Sequence, residues 1–269
     1  MKPVCLHAKD QIEAFLCRHP FLHLYSIGDL DDFFWNYTTW YAFLDQQQIE
    51  QLVLLYTGTS LPVVLGLSEE PTDLIEELLQ SIAHLLPKRF YAHLSGDLAT
   101  VFADDYQIES HGLHLKMALS NSALLDTADT SDVIPLSAAD RGELEDLYRL
   151  AYPGNWFEPR MLETGHYYGI RRGAALVSVA GVHVYSQQYK VAALGNITTH
   201  PQFRGQGLAK VVCAKLCKDL WQKVEHIGLN VKADNYSAIA CYTKLGFKAI
   251  ATYEEYLLEL KQIVPARTS

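Results

Sequence analysis

Long apolar runs are missing from this chain of 269 residues, and none reaches the ~18 positions needed to cross a bilayer. The opening text Met1-Lys2-Pro3-Val4-Cys5-Leu6-His7-Ala8 carries one Lys with no apolar core behind it, so no secretory leader is expected. Cysteine is sparse. Cys5, Cys17, Cys213, Cys217 and Cys241 are an odd count without a C-x-x-C pair, which excludes a disulfide framework and a zinc ribbon. Cys213 and Cys217 stand four apart on a predicted helix and read as small buried residues, so no metal is expected. These absences make a soluble cytoplasmic protein the expectation. Positive charge is scarce as well. The net charge of −9 argues against nucleic acid as the main partner. Residues 1–120 hold 6 Lys+Arg against 16 Asp+Glu, while residues 121–269 hold 16 against 15. A phosphate-rich ligand would prefer the second half.

What is present is an ordinary globular composition, 49% apolar and 20% charged, long enough for two domains. The small polar stretch from Leu119 to Asp132 reads as a break, giving domains at 1–120 and 133–269 with a linker at 121–132. The second half spells a clear order. Ser137–Leu150 is helical with Ser137 as N-cap, and a short helix covers Glu158–Glu163. Strands follow at Tyr167–Arg171, Ala174–Tyr185 and Val191–Thr199. A glycine loop leads into a helix from Gly207 to Val224, with Leu208, Val212, Leu216 and Leu220 four apart. Leu229–Ala233 is a strand, Tyr236–Leu245 a helix, and Lys248–Leu260 one long strand or a strand pair. This is an α/β (α+β) domain on a central mixed sheet.

The first half repeats that order more faintly. Helical text at Gln11–Leu30 precedes strands at Thr39–Leu44, Ile49–Tyr56 and Leu61–Leu67. A helix at Pro71–Leu86, a strand at Arg89–Leu94, a short helix near Leu98–Ala103 and a strand at Tyr106–Leu119 complete it. The aromatic cluster Phe33-Phe34-Trp35-Asn36-Tyr37 with Trp40-Tyr41 reads as core packing.

The stretch that carries chemistry is Asn196-Ile-Thr-Thr-His-Pro-Gln-Phe-Arg-Gly-Gln-Gly-Leu-Ala209. A strand ends at Pro201, passes Gly205 and Gly207, and enters a helix. Main-chain N–H groups at such a helix start have no intrahelical partner and sit at the positive end of the dipole. Glycine lets several of them converge on one anion. With Arg204 and Lys210 beside it, the junction predicts a phosphate or pyrophosphate cradle. A P-loop would need Gly-Lys-Ser/Thr where Gly207 is followed by Leu208-Ala209, and a dinucleotide fingerprint would need Gly where Lys210 stands.

Arg204-Gly-Gln-Gly-Leu-Ala209 instead fits R/Q-x-x-G-x-G/A, the pyrophosphate loop of GNAT acetyltransferases, and Gln202-Phe-Arg-Gly-Gln-Gly207 fits it in an overlapping register. The preceding His200-Pro201, then Leu229-Asn-Val-Lys-Ala-Asp-Asn235, and then Tyr242-Thr-Lys-Leu-Gly-Phe247 follow the family order. Residues Ile134 to Leu260 thus resemble a GNAT N-acetyltransferase domain. A degenerate GNAT-like half followed by this domain resembles the plan of the glycine N-acyltransferase-like branch.

The resemblance implies acetyl-CoA, or another acyl-CoA, as co-substrate and a short acyl group moved to a primary amine by direct attack on the thioester. It implies that the main chain of Ile197, Thr198 and Thr199 pairs with the pantetheine arm, with the N–H of Ile197 stabilising the oxyanion. Arg204, Gly205, Gln206, Gly207, Leu208, Ala209 and Lys210 would hold the pyrophosphate. Asn235 would bond to the pantetheine or the amine side, or cap the following helix, and Tyr242 would protonate the leaving thiolate. Some relatives carry a Glu base five positions before that Asn. Here the position is Asn230, which leaves His200, His183, Glu158 and His166 as open candidates. A catalytically silent CoA-binding or sensing module, or an interaction protein that keeps only the fold, is the alternative. The acceptor is expected to be a small-molecule amine or an amino-acid-like compound, and the acidic first half would draw in a cationic amine. That half has Glu69, Glu70 and Asp73 where the cradle would be, so it is expected not to bind CoA but to shape the substrate side or a homodimer contact.

Overall fold

The computed structural model of the chain describes residues 1–69 and 73–262. Pro71, the expected opening of the helix in the first half, lies outside the described residues, as does Glu70. In chain order the elements are β1 (Val4–Leu6), α1 (Lys9–Leu16), α2 (Leu24–Gly28), α3 (Asp32–Trp35), β2 (Thr38–Asp45), β3 (Gln48–Tyr56), β4 (Val63–Gly66), α4 (Asp73–Ile82), β5 (Arg89–Leu94) and β6 (Tyr106–Leu119). There follow β7 (Ile134–Pro135), α5 (Arg141–Ala151), β8 (Tyr168–Arg172), β9 (Ala175–Ser186), β10 (Val191–Thr199), α6 (Leu208–Trp221), β11 (His226–Lys232), α7 (Tyr236–Lys244) and β12 (Phe247–Leu260). Short 3-10 turns at Pro159–Thr164 and Leu98–Phe102 stand where short helices are predicted. Lys248–Leu260 is a single strand.

The chain forms two compact units. Among the described residues, the first holds those of 1–114 and 251–262, and the second holds Leu115–Ile250. Both crossings fall inside strands, at β6 and at β12. Residues 121–132 lie in the second unit, with a 3-10 turn at Ser122–Thr127.

In the first unit the strand order is β1-β2-β3-β4-β5-β12. β4 and β5 are parallel, and their neighbours are antiparallel. α4 buries Ile75, Leu78, Leu79 and Ile82, an i, i+3, i+4, i+7 set, in one core with Phe43, Val53, Val64 and Phe90. The aromatic cluster is core material. Trp40 and Phe34 are buried, Trp35 stacks on Trp40, and Phe33 meets Phe34 edge to face.

In the second unit the order is β6-β11-β10-β9-β8-β7, with β10 and β11 parallel and β7 to β10 antiparallel. A capping box starts the helical stretch at Ser137. Its hydroxyl accepts from Ala139 N–H, while Asp140 accepts from the Ser137 N–H at 2.9 Å. α6 lays Leu208, Val212, Leu216 and Leu220 into the core, and Cys213 and Cys217 fill the adjoining seam, fully buried. Burial pushes both thiols well above their ordinary pKa, so they are inert packing groups.

Candidate active site

The site is built where two parallel strands part. β10 and β11 pair from Val191↔His226 to Leu194↔Leu229, and no further rung is formed among the described residues. β10 nevertheless continues to Thr199 and β11 to Lys232. On its other side β10 stays joined to β9. The His200 N–H donates to Val177 at 2.8 Å, and Thr198 C=O accepts from Ser178 Oγ at 3.4 Å. Main-chain groups of alternate residues point to opposite edges of a strand. Those of Ile197 and Thr199 therefore point into the gap that β11 has left; the Thr199 C=O is met there by Arg204 Nε, and the rest of the edge is one onto which an amide-containing chain can add as a strand.

A bulge sets this edge. Asn196 has φ +55°, a left-handed conformation uncommon outside glycine, and the β9–β10 register shifts between Gly195 and Thr198. A network of phenols holds Asn196 there. Its C=O accepts from Tyr148 Oη at 2.9 Å, and its Nδ2 donates to Tyr167 Oη at 2.8 Å. Tyr167 in turn donates to Val182 C=O at 3.1 Å. Burial raises the pKa of both phenols, so they stay protonated and act as fixed donors. Asn196 itself is 3% exposed. Its Oδ1 lies 3.3 Å from His183 Nε2, and the indole of Trp156 sits 5.6 Å from that imidazole. Of this group, sequence reading singled out His183 alone. Asn196, Tyr148 and Tyr167 carried no signal beyond being polar residues within apolar text.

The loop that follows has the conformation its glycines permit. Gly205 and Gly207 take φ +77° and +78°, and a Cβ on either would meet nothing within 4 Å. Gly207 is the N-cap of α6, and Leu208 anchors the helix start in the core. Among the described residues, the main-chain N–H groups from Gly205 to Lys210 meet no acceptor within the chain. Six donors at the positive end of a 14-residue helix, beside open space, suit a pyrophosphate. Arg204 turns inward. Its Nε donates to Thr199 C=O at 3.1 Å and its Nη2 to Ala151 C=O at 2.9 Å, which ties the loop to β10 and to α5. Lys210 Nζ reaches Thr127 Oγ1 at 3.2 Å. Gln206 is exposed and Ala209 half-buried.

Asn235 caps α7, its Oδ1 accepting from Ala238 N–H at 3.2 Å, so the capping role is present and its Nδ2 keeps further donors. Tyr242 lies on α7 within the second unit's core, its ring 6.0 Å from that of Phe247. Asn230 accepts from Lys116 Nζ at 3.5 Å, and Lys116 is 2% exposed on β6. The alternation Leu113-His114-Leu115-Lys116-Met117 marks Lys116 as facing away from Met117, but not as buried.

The four histidine and glutamate candidates separate. His200 uses Nδ1 to accept from Gln202 N–H at 3.2 Å, as the cap of a 3-10 turn. His166 is 3% exposed against the ring of Tyr185, and burial lowers its pKa to about 4. Glu158 is the N-cap residue of the Pro159–Thr164 turn. His183 alone is bonded to the bulge. Among the described residues, no group of three or more His, Cys, Asp or Glu side chains is placed to hold a metal ion, and no helix is long and apolar enough to cross a membrane.

Comparison with known proteins places this geometry. Residues 167–257 match the family model described as FR47-like protein. A search of curated proteins gives no match. Among solved structures, a Drosophila protein superposes with a TM-score of 0.71 at 13% identity, covering 96% of this chain and 98% of its own. An acetyltransferase from the GNAT family of Colwellia psychrerythraea gives 0.55 at 14% identity, covering 96% and 100%. A tandem GNAT protein from the clavulanic acid biosynthesis pathway gives 0.56 at 13% identity, covering 95% and 97%. At such identities the structural likeness speaks for the fold. Taken together, these structures show a tandem GNAT fold, and the FR47-like match falls within its second half.

Proposed function

We propose that the second unit is an acyl-CoA-dependent N-acyltransferase, moving an acetyl or other short acyl group to a primary amine. The observation that carries this reading is the open edge of β10 running directly into the unpaired N–H groups of Gly205–Lys210. Together they suit a ligand with an amide-bearing arm and a pyrophosphate. Ile197 and Thr199 would pair with the arm, with the Ile197 N–H aimed at the thioester oxygen as charge develops. The loop would take the pyrophosphate, with Arg204 holding the loop in shape. Tyr242 would return a proton to the departing thiolate, and Asn235 would add an amide bond while capping α7. The acceptor would be a small-molecule amine or an amino-acid-like compound, and the first unit would hold no CoA of its own.

A second reading, CoA binding without turnover, draws on Asn230, an amide bonded to Lys116 where some relatives carry a base. Thiol release from acetyl-CoA against a panel of amino acids, polyamines and Lys-containing peptides separates the two. Amine-dependent release is expected, and binding without release would favour the second reading.

A further inference from the structure

One peptide group lies at the centre of the proposed acyl site, the group that joins Asn196 to Ile197. Its C=O belongs to Asn196 and its N–H to Ile197. β9 and β10 pair at Gly195↔Gly181 and again at Thr198↔Val179, so Asn196 and Ile197 together stand opposite Ala180. The extra residue interrupts the ladder, and the Asn196 C=O accepts from Tyr148 Oη at 2.9 Å. A carbonyl oxygen only accepts, so the single phenolic hydrogen of Tyr148 is committed to this bond.

Two consequences follow for the Ile197 N–H. The first is direction. The described chain has no cis peptide bond, and in a trans peptide the C=O and N–H point opposite ways. Holding the C=O against Tyr148 therefore turns the N–H away from it, and alternation along β10 sends it toward the side where β11 has parted. The second is strength. A hydrogen bond to the C=O draws electron density from the amide nitrogen, and such chained bonds strengthen one another by about 10–30% each. Tyr148 is 5% exposed and Asn196 3%, so water does not screen the bond. The Asn196 side chain keeps the bulge in shape. Its Nδ2 donates to Tyr167 Oη at 2.8 Å and to Met161 Sδ at 3.3 Å, and its Oδ1 lies 3.3 Å from His183 Nε2. Tyr167 Oη lies 3.1 Å from Val182 C=O and 3.5 Å from Met161 Sδ. The end of α5 that carries Tyr148 also carries Ala151, whose C=O accepts from Arg204 Nη2 at 2.9 Å. One helix end thus steadies both the bulge and the glycine loop.

We infer that Tyr148 is a positioning residue for acyl transfer, aiming and strengthening the Ile197 N–H as oxyanion donor through the Asn196–Ile197 peptide. The inference rests on the acyltransferase reading above. No proton changes hands between Tyr148 and the ligand. The hydroxyl stays on Asn196 C=O while negative charge grows on the thioester oxygen at the far end of the same amide.

The test reads the bound thioester directly. Acetyl-CoA labelled with carbon-13 at the acetyl carbonyl is bound to the full chain without an amine, and its carbonyl stretch is followed by isotope-edited infrared spectroscopy. The stretch is expected at lower frequency in the wild-type complex than in free acetyl-CoA. Tyr148→Phe should lose part of that downshift. Fluorotyrosine at position 148, a stronger donor of nearly the same size, should deepen it. Removing an oxyanion donor outright costs about 100-fold or more in kcat, so turning and weakening one should cost about tenfold. Tyr148→Phe is accordingly expected to lower kcat with hydroxylamine about tenfold and to leave acetyl-CoA affinity near wild type. A wild-type downshift that neither substitution moves would overturn the assignment, as would a Tyr148→Phe loss confined to stability or to affinity. If Tyr148→Phe does not fold, the fluorotyrosine chain decides, since it keeps the hydroxyl. Wild-type protein that binds no acetyl-CoA would remove the acyltransferase reading itself, whereas binding with an unshifted carbonyl would overturn this assignment alone.

Discussion

The two units face the same construction problem at the end of a parallel strand pair and solve it in opposite ways. In the first unit β4 pairs with β5 through its last residue, Gly66↔Leu94. The join is then sealed. Ser95 N–H donates to Gly66 C=O at 3.1 Å, Ser95 Oγ donates to Ser68 C=O, and the Ser68 N–H returns to Ser95 Oγ, both at 3.0 Å. The helix beyond begins with Asp73 and Glu76 in its first turn. In the second unit the pairing stops five residues before β10 ends, and the helix beyond begins at left-handed glycines with open space around them. One edge has its main-chain groups satisfied internally and its dipole occupied by carboxylates. The other leaves both to a ligand. On the proposed reading, a GNAT-like fold becomes a CoA site through what it leaves unpaired, and a few side chains suffice to close it.

The largest expected effect comes from making the open junction resemble the closed one. Gly207→Glu puts a carboxylate into the cradle and should weaken acetyl-CoA binding by about 1000-fold, roughly 4 kcal/mol. Gly207→Ala fills no occupied space and bears only the cost of φ +78°, about 1 kcal/mol, so its loss should be about fivefold. Equal losses from the two variants, measured by calorimetry, would show that conformation matters there and charge does not.

The next effect sharpens the contrast through acid stability. In the first unit His93 and His114 each stand 3.5 Å from Glu255. In the second unit His166 is buried, which lowers its folded pKa to about 4, below the unfolded value of about 6.5. The folded state then binds fewer protons than the unfolded one within that window. Its contribution is complete above pH 6.5 and falls by about 3 kcal/mol as the pH drops toward 4. His166→Phe should flatten that part of the stability–pH curve measured by denaturant unfolding. An unchanged slope would contradict the assignment.

Tyr242→Phe keeps the ring that packs against Phe247 and removes the proton donor. It should lower kcat by about 100-fold with acetyl-CoA affinity unchanged. A loss of affinity without a loss of kcat would make Tyr242 a packing residue. The smallest effect is expected in the first unit. Ser95→Ala breaks the seal, leaves Ser68 partly unsatisfied and should cost about 1 kcal/mol in denaturant unfolding. It should create no second acetyl-CoA site.

Strands with a period were legible from sequence. β10 at Val191–Thr199 and β6 at Tyr106–Leu119 stand where the alternation places them, and α6 starts one residue after Gly207. The glycine loop was legible because φ above zero leaves a compositional mark. Elements too short to show a period left no trace, such as β1 over Val4–Leu6 and β7 over Ile134–Pro135. The return of the chain to the first unit at Ala251 is invisible too, since β12 keeps one strand pattern throughout. The hydrogen bonds that hold the Asn196 bulge join partners 13, 29 and 48 residues apart, namely His183 with Asn196, Asn196 with Tyr167 and Asn196 with Tyr148. Local pattern carries no signal over such distances, so the sequence could offer four candidate bases and not choose among them.

The central claim is that one open junction, and not two, makes this chain an acyl-CoA protein. Calorimetric titration of the full chain with acetyl-CoA tests it most directly. The account expects saturation at one molecule per chain. Two molecules per chain would contradict the closed first unit, and no binding by folded protein would contradict the open second one.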